Sequence, residues 1–164
     1  MRSYVHGVNR LWAVRGFTML TLFWLGLLVT VPLVATHAYG DVAALSDVVY
    51  FVGSFVCHQQ PDRSFHIDGG QMPVCARCSG LYLGAGIGVV LAGLRARTLR
   101  QVSRQASPVL RWVVLAAAVP MGLSVVAEVV GAVPSGGVLR AASAVPLGVA
   151  VTWVVSLVIR GELA

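Results

Sequence analysis

Lysine is missing altogether from this 164-residue sequence, and only six residues are Asp or Glu. Charged side chains make up 11% of the chain, against about 25% in soluble domains. A chain this poor in charge cannot clothe a soluble globule. No phosphate-binding glycine loop, dinucleotide fingerprint, haem-attachment motif or Ser/His/Asp set is legible, which removes the commonest enzyme classes that a motif alone can announce. In place of charge stands apolar surface: 57% of the residues are hydrophobic and the mean hydropathy is +0.83. The formal net charge of +6 comes entirely from Arg. In a soluble protein that balance would suggest nucleic acid. Here the arginines flank apolar runs, which marks a lipid bilayer as the partner and excludes nucleic acid.

Four of these runs are long enough for the ~20 residues that a spanning helix needs. They cover about 17–37, 74–94, 109–133 and 138–159. The second reaches that length only if its helix starts near Val74. Pro120 and Pro146 fall inside the last two, where a transmembrane helix tolerates a kink. A further segment, Asp41 to Cys57, is apolar but short and is broken by Asp47, which suits an interfacial or re-entrant helix. The expected fold is therefore all-α and polytopic: a single membrane domain over residues 1–164, with four transmembrane helices and one short helix. No stretch is left over for a soluble domain.

Arginine placement sets the expected orientation. Arg2, Arg10 and Arg15 precede the first span, and Arg95, Arg97, Arg100, Arg104 and Arg111 crowd the connection between the second and third. Arg160 ends the fourth. The positive-inside rule puts all of these in the cytoplasm. The loop from Ala38 to Pro73 holds four Asp and only Arg63, so it is expected outside the cell (inner) membrane, with both termini inside.

That outer loop gathers the reactive side chains. Residues 57–80, "CHQQPDRSFHIDGGQMPVCARCSG", hold all three cysteines and two of the four histidines. Cys75 and Cys78 form a CxxC where the second helix is expected to begin, a position that favours thiolate. Cys57 ends the short apolar segment, and the Pro/Asp/Gly-rich middle has the turn chemistry to fold the loop back on itself. Three Cys and one His complete a tetrahedral shell for zinc or another thiophilic metal. Cys57, Cys75 and Cys78 are the candidate ligands, with His58 the favoured fourth and His66 the reserve. The same residues also suit a redox-active CxxC with Cys57 as resolving partner, or a structural disulfide with one free thiol.

Two further features reach the level of this loop. Cys75, Cys78 and Tyr82 share one helical face, while Gly80, Gly84, Gly88 and Ala92 form a small-residue ridge on roughly the opposite one. Such a ridge serves close helix packing, within the chain or onto a membrane-protein partner. Glu128 lies in the outer part of the third span, and Arg140 opens the fourth. A carboxylate at membrane depth is a functional candidate by default, and its bland alternative is an ion pair with Arg140, Arg77 or Arg63.

The run from Cys57 through His58, Gln59, Pro61, Arg63 and Ser64 to Phe65, followed by Pro73, Cys75, Arg77, Cys78, Gly80, Tyr82 and Gly84, resembles the signature of a family of small bacterial and archaeal membrane proteins of unknown function. The second half keeps Ser135, Arg140 and Ser143 of that family's pattern. It departs at Ser124, Glu128, Gly137 and Ala144, where the pattern has Asp, Gln, Asn and Gly. The resemblance implies a membrane protein with an intact central motif and carries no reaction with it. Three readings follow: an extracytoplasmic Cys/His metal site with a structural or metal-handling role, a membrane thiol–disulfide oxidoreductase, or a non-catalytic accessory subunit of a larger membrane complex.

Overall fold

The computed structural model describes residues 2–35, 41–94, 107–132 and 136–161. The arginines of the 95–106 connector, the end of the expected first span at His37, and Val133 and Ser135 lie outside the described residues. Five α-helices make up most of the described residues: α1 (Arg2–Ala35), α2 (Asp41–Ser54), α3 (Ala76–Leu94), α4 (Ser107–Val129) and α5 (Gly137–Arg160). Four of them contain stretches long and apolar enough to cross a membrane: Asn9–Ala35, Ala76–Leu94, Val109–Val129 and Gly137–Arg160. The fifth, α2, is the short apolar helix expected from the sequence.

In a bilayer every backbone and hydroxyl dipole must find its partner within the protein. The hydroxyls of these helices do so by donating to the carbonyl one turn back. Thr18 reaches Val14 O at 2.9 Å, Thr21 reaches Phe17 O at 2.8 Å and Ser156 reaches Thr152 O at 2.8 Å. The apolar side chains left outside, among them Phe23, Trp112, Leu123 and Val151, form the lipid-facing surface.

The bundle is built on the contact of α3 with α5. A Cβ on Gly80 would collide with Ala141 O, one on Gly84 with Val145 O, and one on Gly88 with Val149 O and the Thr152 hydroxyl. The approach is reciprocal, since a Cβ on Gly148 would strike Leu81 O. Backbone thus meets backbone, and dispersion over that close contact replaces the hydrophobic drive that lipid cannot supply. The glycine ridge is consumed inside the chain, so it is not a face for a membrane-protein partner. Helix α4 joins this pair at one side, and none of its most apolar stretch is buried.

Between α2 and α3 the chain departs from helix. A 3₁₀ turn (Pro61–Arg63) leads into a two-stranded antiparallel hairpin, β1 (Ser64–Ile67) and β2 (Gly70–Cys75). Its two-residue loop is Asp68–Gly69, with φ of +51° and +80°, the pair of left-handed conformations a tight hairpin loop requires. His66 pairs with Gln71, but Ser64 pairs with Cys75, so β2 carries the extra residues. Pro73 sits in that irregular stretch, having no N–H to give a regular ladder. Helix α3, the second expected span, therefore begins at Ala76 rather than near Val74, because Val74 and Cys75 are held in the strand.

Helix α2 lies beside α1 and β2. Val49 and Ser46 are buried, while Leu45, Val48, Phe51, Val52 and Phe55 form an exposed apolar stripe. That stripe at helical spacing is what an interfacial helix turns toward acyl chains.

Candidate thiol and arginine centre

Three segments deliver the three cysteines. Cys57 follows α2, and its N–H donates to Gly53 O at 3.0 Å, closing that helix's last turn. Cys75 ends β2, and Cys78 lies in the first turn of α3. Their Sγ atoms all lie within 4.8 Å of one another, and all three are free thiols. The Cys75 N–H donates to Cys57 Sγ at 3.0 Å, a bond that favours sulfur with anionic character. A hydrogen bond from the Cys78 thiol holds the Cys75 thiol down to about 5, outweighing the opposing effect of burial. Behind the sulfurs lies apolar surface from Leu28, Met72 and Val74, with Trp24 and Tyr82 packed edge to face at a centroid distance of 6.2 Å.

Two glutamines hold this assembly in register. Gln59 has φ +49°, and its Nε2 donates to Tyr50 O at 2.7 Å and to Pro73 O at 2.8 Å. Gln71 Nε2 in turn donates to the Gln59 backbone O at 2.7 Å. The Tyr50 hydroxyl donates to Gln71 O, and burial pushes that phenol's pKa up, keeping it a donor. Gly53 makes room, since a Cβ there would stand 2.5 Å from Pro73 O. The clamp ties the end of α2 to β2 and so places Cys57 beside Cys75. Neither Gln59 nor Gln71 shows this role in the sequence pattern. The available signal was the Asp68–Gly69 dipeptide, which announces a hairpin and hence a partner strand for residues 70–75.

On the other side of the thiols stands an ion triad. Arg140 Nη2 meets Glu128 Oε1 at 2.6 Å, and Arg77 Nη2 meets Glu128 Oε2. Each carboxylate oxygen thus takes one guanidinium, joining the starts of α3 and α5 to the end of α4. Arg63 is not a partner of Glu128, as it faces Asp62 at 3.8 Å. Nearby, between α4 and α5, the Ser143 hydroxyl donates to Ser124 Oγ at 3.0 Å. The thiols and the two arginines of the triad share a cavity of about 350 Å³, lined by Cys57, Cys75 and Cys78 together with Arg63, Arg77 and Arg140. His58 is exposed and lines the same cavity, but no histidine joins the sulfur group among the described residues. His66 is exposed on β1 and does not line it. Tyr82 lies with Trp24 behind the sulfurs.

This arrangement sits on a helical frame fit for a bilayer, and comparison with known proteins agrees. The family described as Predicted membrane protein (DUF2085) matches residues 57–154, and the chain belongs to it. It is 33% identical over 87 residues to the uncharacterized protein MJ1492 of Methanocaldococcus jannaschii, covering 53% of each chain. An uncharacterized protein of Methanothermobacter thermautotrophicus is 52% identical over 31 residues, which is 19% of this chain and 28% of that one. The chain thus spans about half the length of the first of these relatives and less of the second. No solved structure matches.

Proposed function

We propose that this membrane protein holds a thiophilic metal ion, zinc or one of similar preference, between Cys57, Cys75 and Cys78. One observation carries the reading: three free thiols from three separate segments lie within 4.8 Å of one another. Thiolates bound tetrahedrally at ~2.3 Å from one ion sit ~3.8 Å apart, so small side-chain rotations close the set. The hydrogen bond from Cys75 N–H to Cys57 Sγ and the lowered Cys75 pKa both favour the anionic sulfur that a metal requires. His58 lines the cavity and is the protein's own candidate for the fourth position, with His66 held in reserve. A metal bound there would join α2, β2 and α3, whether its role is structural or lies in handling the ion.

The reading places the centre on the extracytoplasmic side, with both termini inside. Its support is the Arg asymmetry between the outer loop and the 95–111 connection. Cysteine labelling on a cysteine-free background at Asp68 and Gln101 checks it. Labelling at Asp68 that needs a permeabilised membrane overturns the orientation.

The central test is elemental analysis of the purified protein paired with thiol counting. A metal site yields one ion per chain and thiols that resist alkylation until a chelator is added. A second reading, a membrane thiol–disulfide oxidoreductase, draws on the depressed Cys75 pKa. In that case Cys75 thiolate attacks a substrate disulfide and displaces one of its sulfurs as thiol. Cys78 or Cys57 then attacks Cys75 Sγ in the mixed disulfide and displaces the substrate's remaining sulfur as thiol, leaving this protein with an internal disulfide and the substrate reduced. It predicts metal-free protein whose Cys75 alkylates readily at pH ~6.5, well below an ordinary thiol's range near 8.5. Complete alkylation of all three cysteines in untreated protein, at rates that fall about tenfold per pH unit below pH ~8 as ordinary thiols do, sinks both readings.

A further inference from the structure

We propose that the cavity beside the thiols binds a phosphate group, through Arg140 and Arg77 at its inner wall and Arg63 at its mouth. The inference does not depend on what the thiols hold. The cavity's lining contains three guanidiniums and no carboxylate. Two carboxylates stand near the three: Glu128, shared between Arg77 and Arg140, and the exposed Asp62, 3.8 Å from Arg63. The wall therefore stays cationic.

Two details argue that the cationic wall serves a ligand and not the fold alone. Arg77 Nε is shielded from solvent and has no acceptor. One carboxylate therefore leaves part of this guanidinium's hydrogen-bonding capacity unused, and Nε meets a ligand in the cavity only when the side chain turns toward it. A triad built only to pin three helices needs no opening, yet this one borders about 350 Å³ of space. Planar guanidinium forks match the oxygens of a tetrahedral phosphate, and several can share one such group. Position selects the same chemistry. Arg77 lies in the first turn of α3, Arg140 in the first turn of α5 and Glu128 at the end of α4, so the wall stands at one end of the spans. That is the depth of lipid phosphates, and it is open to phosphate esters from the aqueous side. One phosphate chemistry thus has two sources, a lipid headgroup or a soluble phosphate.

The test uses metal-stripped full-length protein in maltoside micelles, which carry no phosphate. Its readout is the rate at which the cysteines lining the cavity react with two methanethiosulfonates of similar size, one bearing a sulfonate and one a quaternary ammonium. A cationic wall makes the anionic reagent faster by about tenfold or more, as charge focusing in a cleft does. Inorganic phosphate then slows that reagent, and chloride at equal ionic strength does not. Protection by phosphatidate doped into the micelles, at phosphate concentrations too low to protect, assigns the site to lipid. Protection by inorganic phosphate with none from phosphatidate assigns it to a soluble phosphate. Either result supports the proposal. Arg63→Gln, at a half-exposed position outside the triad, lowers the anion preference without unfolding the chain, and Arg140→Gln abolishes it where that variant folds. Equal rates for the two reagents, or phosphate no more protective than chloride, overturn the proposal. Neither result bears on the metal reading, because the metal is absent from the assay.

Discussion

The middle and the start of α3 are held by different physics. From Gly84 to Gly88 the helix lies against α5 with hardly an atom between the backbones, and nothing there is charged. At its start, within one turn, stand Arg77, Cys78 and the end of a β-strand, with two amide side chains bridging backbone carbonyls. The first region is stable through shape, since in lipid only close approach distinguishes a helix neighbour from an acyl chain. The second is polar, keeps all but Arg77 Nε of its buried side-chain groups satisfied by specific partners among the described residues, and retains one open cavity. Substitutions in the first should alter stability alone. Substitutions in the second should alter stability and thiol chemistry together.

The largest expected effect falls on the triad. Glu128→Gln leaves two mostly buried guanidiniums without their counter-charge and should destabilise the fold by ~3–5 kcal/mol, read as a lower unfolding midpoint in detergent. Adding Ser124→Asp returns a carboxylate one turn away on the same helical face and should recover part of that loss. No recovery would mean that the triad's geometry, and not its charge balance, is what counts.

Next comes the helix contact. Gly84→Leu drives a side chain into Val145 O and should cost ~1–3 kcal/mol or more, while thiol reactivity in the folded fraction stays as it was. Gly93→Leu is the control, for nothing lies within 4 Å of its Cβ position. An equal cost at both positions would break the proposed contrast.

Gln59→Ala should cost ~1–3 kcal/mol, because it strips two carbonyls of their donor. It should also free Cys57 from the other two thiols, seen as faster alkylation of Cys57 relative to Cys78. A stability loss without that change in reactivity would confine the clamp to the fold. The smallest effect belongs to His66→Ala, exposed on β1, which should shift stability by no more than ~0.5 kcal/mol and leave metal content unchanged. Metal lost on this substitution would make His66 a ligand and redraw the centre.

Much of this molecule is legible in one dimension. A spanning helix satisfies its own backbone, so a run of apolar residues is sufficient information for it, and α1, α4 and α5 follow from their runs. The shortness of α2 and the gathering of all three cysteines in residues 57–80 can be read the same way. Tertiary structure decided what depends on pairing. Val74 and Cys75 have apolar neighbours that a helix would accept, but β1 claims their backbone and moves the start of α3 to Ala76. The ridge of Gly80, Gly84 and Gly88 reads as a contact surface in any helix, while only packing shows that α5 fills it. Glu128 had three candidate partners and takes two, Arg77 and Arg140, because the helix ends that meet there belong to α3, α4 and α5. Cys57 and Cys75 are 18 residues apart along the chain and become neighbours through the hydrogen bonds of Gln59 and Gln71. Local pattern determines an element whose bonds are its own; an element whose bonds belong to a distant segment is settled only once that segment arrives.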